Sequence, residues 1–228
     1  MSIDAGLYIV GTPIGNLKDI SIRAIETLQA VDIIYAEDTR HTRKLTQAHN
    51  ISTQMKSCHK FNESKKSEEI INRIQNGEAI AIVSDSGMPG ISDPGSRLVQ
   101  SCFNADVPIT CIPGPTALTT AMAMIGYTET GFIFAGFLPH KSGGRKKELE
   151  YWSETKLPVV FYESPYRLIK LTEEIESYLN KDRELFVLRE MTKKFEEIIR
   201  GTPKEIRSSF KERSVKGELV VILMPDNK

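Results

Sequence analysis

Short apolar runs recur along almost the whole chain, and between most of them lies a stretch with helical spacing. The runs at 7–10, 32–36, 79–83 and 108–112 come first, and those at 132–137, 158–162, 184–189 and 218–223 follow after a break. The intervening sequence Ser67-Glu-Glu-Ile-Ile-Asn-Arg-Ile74 repeats its apolar positions at helical intervals and stops at Gly77, a favoured helix terminator. Ser164-Pro165 reads as a cap with proline in the first turn, and Thr202-Pro-Lys-Glu205 as a capping box. Strands alternating with helices predict an α/β fold whose mostly parallel sheet is covered on both faces.

The last third departs from this rhythm. Strands at 184–189 and 195–200 are separated by only a few residues, too few for a parallel crossover, so a mixed sheet is expected there. Ile112-Pro-Gly-Pro-Thr116 is the natural break between two α/β lobes, 1–113 and 114–228. At 228 residues the chain can build a genuine core in each. No apolar run approaches the roughly 20 residues of a membrane span, and the first residues lack the pattern of a signal peptide. Cys58, Cys102 and Cys111 suit a reducing cytoplasm, and none of the histidines joins them in a metal-ligand spacing, so no metal is expected.

Turn-forming residues are concentrated in three places. Gly11-Thr-Pro-Ile-Gly-Asn16, the stretch 84–95 (SDSGMPGISDPG) and Pro113-Gly-Pro115 together hold 6 of the 15 glycines and 5 of the 11 prolines. Each follows a predicted strand and precedes a predicted helix. In a parallel sheet that places all three at the carboxyl edge, where ligands bind. The alternative is that they are merely tight turns. The spacing of Gly11 and Gly15 is not the dinucleotide fingerprint, and no Gly-Lys-Ser/Thr follows to make a phosphate loop. Asp85 and Asp93 would repel a polyphosphate but accept hydrogen bonds from hydroxyl or amino groups, which favours a sulfonium cofactor with an adenosine end over ATP. Helix-start amides at these loops would suit an anionic group such as a ligand carboxylate.

These same loops carry a resemblance. Leu7-Tyr-Ile-Val-Gly-Thr-Pro-Ile-Gly-Asn-Leu17, Ala36-Glu-Asp-Thr-Arg40, the 83–95 stretch, Ile112-Pro-Gly-Pro-Thr-Ala117, Gly136-Phe-Leu-Pro-His-Lys141 and Phe161-Tyr-Glu-Ser-Pro-Tyr-Arg167 resemble, in order, the ribosomal RNA small-subunit methyltransferase I family. The resemblance runs from about residue 6 to the strand near 223. It implies a two-lobed tetrapyrrole-methylase-like fold with S-adenosylmethionine in the cleft between the lobes, in a homodimer. The implied reaction is 2′-O-methylation of a cytidine in the decoding region of 16S rRNA, with the rRNA or the assembled small subunit as partner. By similarity, cofactor contacts fall on Pro13, Ile14 and Gly15, on Ser84, Asp85, Gly87 and Met88, on Thr116 and Ala117, and on Tyr162. Met88, Tyr166 and Thr116 stand where relatives often have threonine, histidine and serine.

Methyl transfer to a hydroxyl requires in-line alignment and an outlet for the proton. Asp38 and Glu163 are the candidate bases, with Arg40 beside the first to hold a phosphate or a carboxylate. Each has a plainer reading: Asp38 caps the next helix or pairs with Arg40, and Glu163 braces the turn before Ser164. For RNA, Lys141-Ser-Gly-Gly-Arg-Lys-Lys147 offers Lys141, Arg145, Lys146 and Lys147 around a flexible Gly-Gly, or else a solvated helix face. A second stretch carries Lys56, Lys60, Lys65 and Lys66 with His59 and Phe61 interleaved, and an aromatic there can stack on an unpaired base. With 30 basic and 30 acidic residues the chain lacks the surplus charge of a non-specific RNA coat. Two rivals keep the cofactor: carbon methylation of a tetrapyrrole precursor, and a non-catalytic module that binds S-adenosylmethionine. An NAD or ATP enzyme is disfavoured by the missing fingerprints.

Overall fold

A strand with no polar face has to be covered on both sides, and Ala79–Val83 is such a strand: all five of its residues are buried. The computed structural model describes residues 3–129, 131–211 and 216–226, and the chain divides into two compact units, Met1–Thr116 and Ala117–Lys228.

In the first unit the elements follow as β1 (Gly6–Val10), α1 (Ile22–Ala30), β2 (Ile33–Ala36), α2 (Thr39–Ala48), β3 (Gln54–Ser57), α3 (Glu63–Gln75), β4 (Ala79–Val83), α4 (Ser96–Asn104) and β5 (Ile109–Ile112). The sheet order is β3-β2-β4-β1-β5, and every pairing is parallel. Alternate residues of each strand face opposite sides, as the pleat requires. Tyr8, Val10, Ile34, Ala36, Ala81 and Val83 pack with Ala24 and Leu28 of α1 and Leu45 of α2. Leu7, Ile33, Tyr35, Ile80 and Ile82 pack on the other side with Ile70 and Ile74 of α3 and Leu98 and Cys102 of α4.

Strand β3 is absent from the sequence reading. Its sequence, Gln-Met-Lys-Ser, has no apolar run because it lies at the sheet edge with no fully buried residue. It is held instead by polar contacts. The buried Tyr35 donates its hydroxyl to Glu69 Oε1 at 2.7 Å, and Glu69 also accepts from Lys56 Nζ of β3 at 3.0 Å and from Lys66 Nζ at 2.5 Å. One carboxylate thus ties β2, β3 and α3 together.

The second unit contains α5 (Ala117–Ile125), β6 (Ile133–Phe137), α6 (Ser142–Tyr151), β7 (Val159–Glu163), α7 (Pro165–Tyr178), β8 (Leu185–Arg189), β9 (Glu197–Gly201), α8 (Pro203–Lys211) and β10 (Leu219–Leu223). Its order is β6-β7-β10-β8-β9, with only the β6–β7 pair parallel. The expected mixed sheet is what forms. Helices α6, α7 and α8 cover one face over Phe161, Val187 and Val221, with Trp152 stacked on Phe161 at a centroid distance of 6.3 Å. Ala121 of α5 packs on the other face with Val160, Leu188 and Ile222. Both expected caps form: Ser164 Oγ accepts from Tyr166 N at 3.3 Å, and Thr202 N donates to Glu205 Oε2 at 2.8 Å.

Because β4, β1 and β5 are adjacent and parallel, the three glycine- and proline-rich loops emerge side by side in the first unit. Two backbones touch there. A Cβ on Gly114 would lie 2.9 Å from Gly11 Cα and C, and one on Gly11 would lie 2.7 Å from Gly114 Cα and 2.6 Å from Met88 Sδ. Both positions therefore require glycine.

Gly114→Ala should lower stability by about 1–3 kcal/mol through overpacking of a rigid backbone contact, read as a shift of the urea midpoint. Gly143→Ala, whose added Cβ meets open space in a helix, should leave the midpoint unchanged or raise it. Equal midpoints for the wild type and Gly114→Ala would contradict the close approach. Glu69 gives a second expectation. Hydrogen bonds from Lys66 and then Tyr35 hold its carboxyl down at about 2. A depressed carboxylate stabilises the fold above its unfolded pKa, and that stability is lost as pH falls through the folded one. The Tm difference between wild type and Glu69→Gln should therefore be full at pH 6 and narrow as pH falls below about 4.5. A gap independent of pH would show that the charge of Glu69 contributes nothing.

Candidate active site at the carboxyl edge of the parallel sheet

The three loops are laced by backbone hydrogen bonds. Gly11 N donates to Ile112 O at 3.1 Å, joining the first loop to the end of β5. Thr12 and Gly87 form an antiparallel bridge, with Thr12 N to Gly87 O at 2.9 Å and Gly87 N to Thr12 O at 3.2 Å. The Thr12 hydroxyl donates towards Ser84 O at 3.2 Å, and the buried Ser84 hydroxyl stays within its own loop, towards Gly87 O at 3.3 Å. Gly87 has φ 81°, a conformation that favours glycine, and a Cβ there would meet Ile14 Cγ2 and Pro115 O at 3.6 Å. Ile14 is buried, Pro13 and Met88 are half-buried and Gly15 is exposed. Pro13, Ile14, Gly15, Ser84, Asp85, Gly87, Met88 and Thr116 are thus brought together on one edge of the first unit. Ala117 and Tyr162 belong to the second unit, at the start of α5 and in β7, where Tyr162 meets Phe134 and Phe137 edge-on with centroids 5.2 and 5.4 Å away.

Carboxylates line the neighbouring end of β2. Asp38 N donates to Asp85 Oδ1 at 3.1 Å, and Asp85 N donates to Glu37 Oε2 at 3.4 Å. Burial raises the Glu37 pKa, the hydrogen bond from the Asp85 amide offsets part of the rise, and the charge of Asp85 adds to it. Nothing in the sequence marks Glu37 beside the more conspicuous Asp38, because its partner Asp85 lies far along the chain. The loops themselves, at 11–16, 84–95 and 113–116, contain no lysine, arginine or histidine. Such a cradle offers acceptors for hydroxyl and ammonium groups and no counter-charge for a polyphosphate.

At the N-terminus of α4, at the end of the long loop, two of the amides are already engaged. Gly95 N and Leu98 N donate to Glu63 Oε1 at 2.9 and 3.1 Å. Glu63 is a buried residue at the start of α3. It replaces the side-chain cap that Gly95, with φ 129°, cannot supply. Nothing in the local sequence around 95 signals this partner, 32 residues away.

Asp38 fulfils both of its plainer readings. Its Oδ1 caps α2 by accepting from Arg40 N at 2.8 Å, and its Oδ2 accepts from Arg40 Nη2 at 2.6 Å. The hydrogen bonds from Arg40 hold its carboxyl well below the usual carboxylate range. Both oxygens are thus occupied by the cap and the ion pair, and Asp38 could act as a base only by leaving them. Arg40 is engaged in this pair while remaining largely exposed. Glu163 likewise fits its plainer reading, although its buried Oε2 has no hydrogen-bond partner among the described residues. Its side chain is fully buried, and its Oε1 accepts from Ser164 N at 2.6 Å and from Arg167 Nε at 2.7 Å. It braces the turn into α7 and positions Arg167, whose Nη1 reaches His140 Nδ1 at 3.2 Å.

The basic run at 141–147 is not a flexible loop, since α6 begins at Ser142 and includes both glycines. Arg145, grouped with the RNA-facing cations, is buried instead. It pairs with Glu174 at 2.6 and 2.7 Å and donates to His140 O at 2.6 Å, so its charge is spent inside the unit. Lys141 and Lys147 are exposed, and Lys146 lies over the Tyr178 ring. In the 56–66 stretch Lys56 and Lys66 are likewise held by Glu69. Among the described residues no group of three or more histidine, cysteine, aspartate or glutamate side chains is placed to hold a metal ion, and no helix is long and apolar enough to cross a membrane.

Known proteins share this chain's features over nearly its full length. Residues 6–207 match the Tetrapyrrole (Corrin/Porphyrin) Methylases domain family. The Ribosomal RNA small subunit methyltransferase I of Thermotoga maritima is 44% identical over 217 residues, covering 95% of this chain and 97% of that protein. The protein of the same name from Bacillus subtilis is 41% identical over 221 residues, covering 97% of this chain and 75% of that one. Among solved structures, a uroporphyrin-III C-methyltransferase from Thermus thermophilus complexed with S-adenyl homocysteine aligns with a TM-score of 0.69 at 15% identity, covering 96% of this chain and 97% of its own. A cobalt precorrin-4 methyltransferase aligns with a TM-score of 0.67 at 16% identity, covering 96% and 94%. The structural likenesses establish the fold, and the sequence relatives establish the kin: the chain belongs to the ribosomal RNA small subunit methyltransferase I family, built on the tetrapyrrole methylase fold.

Proposed function

We propose that this chain transfers a methyl group from S-adenosylmethionine to the 2′-hydroxyl of a cytidine in the decoding region of small-subunit rRNA, with the assembled small subunit as its partner in the cytoplasm. The observation that carries the reading is the cation-free cradle formed where the Gly11, Gly87 and Gly114 loops meet. A side chain at Gly11 or Gly114 would push the loops apart, so the backbone surface itself is what these glycines preserve. A ligand with a sulfonium and an ammonium group suits loops that carry Asp85 and no lysine, arginine or histidine, with Glu37 beside them and Arg40 paired to Asp38.

When bound, the cofactor supplies a methyl carbon activated by its positively charged sulfur. The chain's own task is to fix that ligand and the acceptor hydroxyl in line, and orientation of this kind is worth several kcal/mol or more. Asp85 is rigidly aimed for this, since its Oδ1 is anchored by Asp38 N and its own amide by Glu37. Its second oxygen, together with the Glu37 carboxylate, is the acceptor set we assign to hydroxyl or ammonium groups of the cofactor. The proton of the ribose hydroxyl leaves to a carboxylate or to water, and Asp38 would have to give up its bonds to Arg40 to take it.

Incubation with tritiated S-adenosylmethionine and small subunits lacking the modification should place label in 2′-O-methylcytidine after nuclease digestion. Label on a base carbon, or none while the cofactor is bound, would overturn the acceptor assignment. Asp85→Ala should weaken binding of S-adenosylhomocysteine about tenfold or more by calorimetry, in line with loss of a charged hydrogen-bond acceptor. Unchanged affinity would sink the loop assignment.

A further inference from the structure

Phe61 is 95% exposed, on a turn with an ordered backbone. His59 N donates to Asn62 Oδ1 at 2.8 Å, and Asn62 N and Glu63 N both donate to His59 O at 2.9 Å. Cys58 N donates to Ala36 O at 2.8 Å, which fastens the start of the turn to the end of β2. The His59 ring meets Phe61 edge-on at 6.1 Å, and its Nδ1 is buried with no hydrogen-bond partner. A phenylalanine held this far into water contributes nothing to the core, so folding does not account for it.

Its position and neighbours suggest what does. The turn follows β3, so it stands at the same carboxyl edge as the three cofactor loops. Strands lie about 4.8 Å apart, and β3 is separated from β4 only by β2, which puts the turn roughly 10 Å from the strand that carries the long loop. Lys60 and Lys65 flank it, both exposed and, among the described residues, in no ion pair. An exposed ring with free cations on either side is the chemistry of a stacked base whose phosphates are held electrostatically.

The turn is also mechanically joined to the cofactor loop, because Glu63, the residue that closes it, accepts from Gly95 N and Leu98 N. Accepting the rRNA reading above, we propose that Phe61 is a stacking platform for an unpaired nucleotide next to the one that is modified, with Lys60 and Lys65 contacting its backbone phosphates.

The test uses the full chain, small subunits lacking the modification and tritiated S-adenosylmethionine. Phe61→Ala should raise the KM for subunits about tenfold while leaving S-adenosylhomocysteine affinity unchanged, and Phe61→Trp should restore it, since stacking tolerates any aromatic ring. Lys60→Ala and Lys65→Ala should each reduce the salt slope of subunit binding by about one. If the wild type labels the rRNA and Phe61→Ala matches it, the platform is wrong and the proposed function stands. A change in sedimentation of the free protein on Phe61→Ala would make the ring a contact between copies of the chain and overturn the platform. Equal loss of cofactor affinity, or no rescue by tryptophan, overturns it as well. A wild type that labels no rRNA nucleoside takes down both the proposed function and this inference.

Discussion

The contact between Gly11 and Gly114 sets the geometry of everything at the ligand edge. Parallel strands leave a sheet at fixed spacing, but their loops have no reason to stay together unless something joins them. Here two loops meet backbone to backbone, close enough that neither residue has room for a Cβ. The long loop is then drawn in through the Thr12–Gly87 bridge and through Met88, which lies over Gly11. The result is a surface made largely of main chain, whose shape does not depend on side-chain rotamers. Preorganisation of that kind suits alignment chemistry, where small displacements are expensive.

Buried carboxylates perform the equivalent task away from the cradle. Glu63 satisfies the start of α4, Glu174 holds Arg145 against the backbone before α6, and Glu163 holds Arg167. In each case a charge is removed from water and met by more than one donor, although the Glu163 donors all fall on Oε1 and its buried Oε2 has none among the described residues. The pairing also explains why a simple count of cations overstates the exposed positive surface. Arg145, Lys56 and Lys66 belong to the scaffold, while Lys60, Lys65, Lys141 and Lys147 remain outside.

Much of this was legible in the sequence. The runs that became β1, β2 and β4 are apolar because the centre of a sheet covered on both faces must be. The edge strand β5 keeps a mixed Ile-Thr-Cys-Ile run with Thr110 and Cys111 exposed, and the short link before β9 implied an antiparallel partner. The loops stood out by their glycine and proline content. What escaped was set by long-range partners. Strand β3 carries no apolar run because Glu69, not burial, holds it in place. For Asp38 the sequence leaves base, cap and ion pair open, and the structure shows the cap and the pair with Arg40. Local sequence shows that a residue can ionise, and only its neighbours decide whether the charge is available.

The same distinction bears on how a chain of zero net charge can select RNA. Long-range attraction to phosphate scales with the number of contacts and falls steeply with salt, and a balanced protein has little of it to spend on unstructured RNA. Specificity must then come from short-range fit at a few points. In the first unit the carboxyl edge supplies such points in order: a cation-free cradle at β4, β1 and β5, the anchored pair Glu37 and Asp85 beside it, and an exposed ring with two free lysines beyond β3. Placing the positive charge at the periphery and keeping it out of the cradle separates the two tasks. A phosphate drawn to the edge finds no cation among the loops themselves, and on the stacking proposal a strand would lie beside the cradle without competing for it.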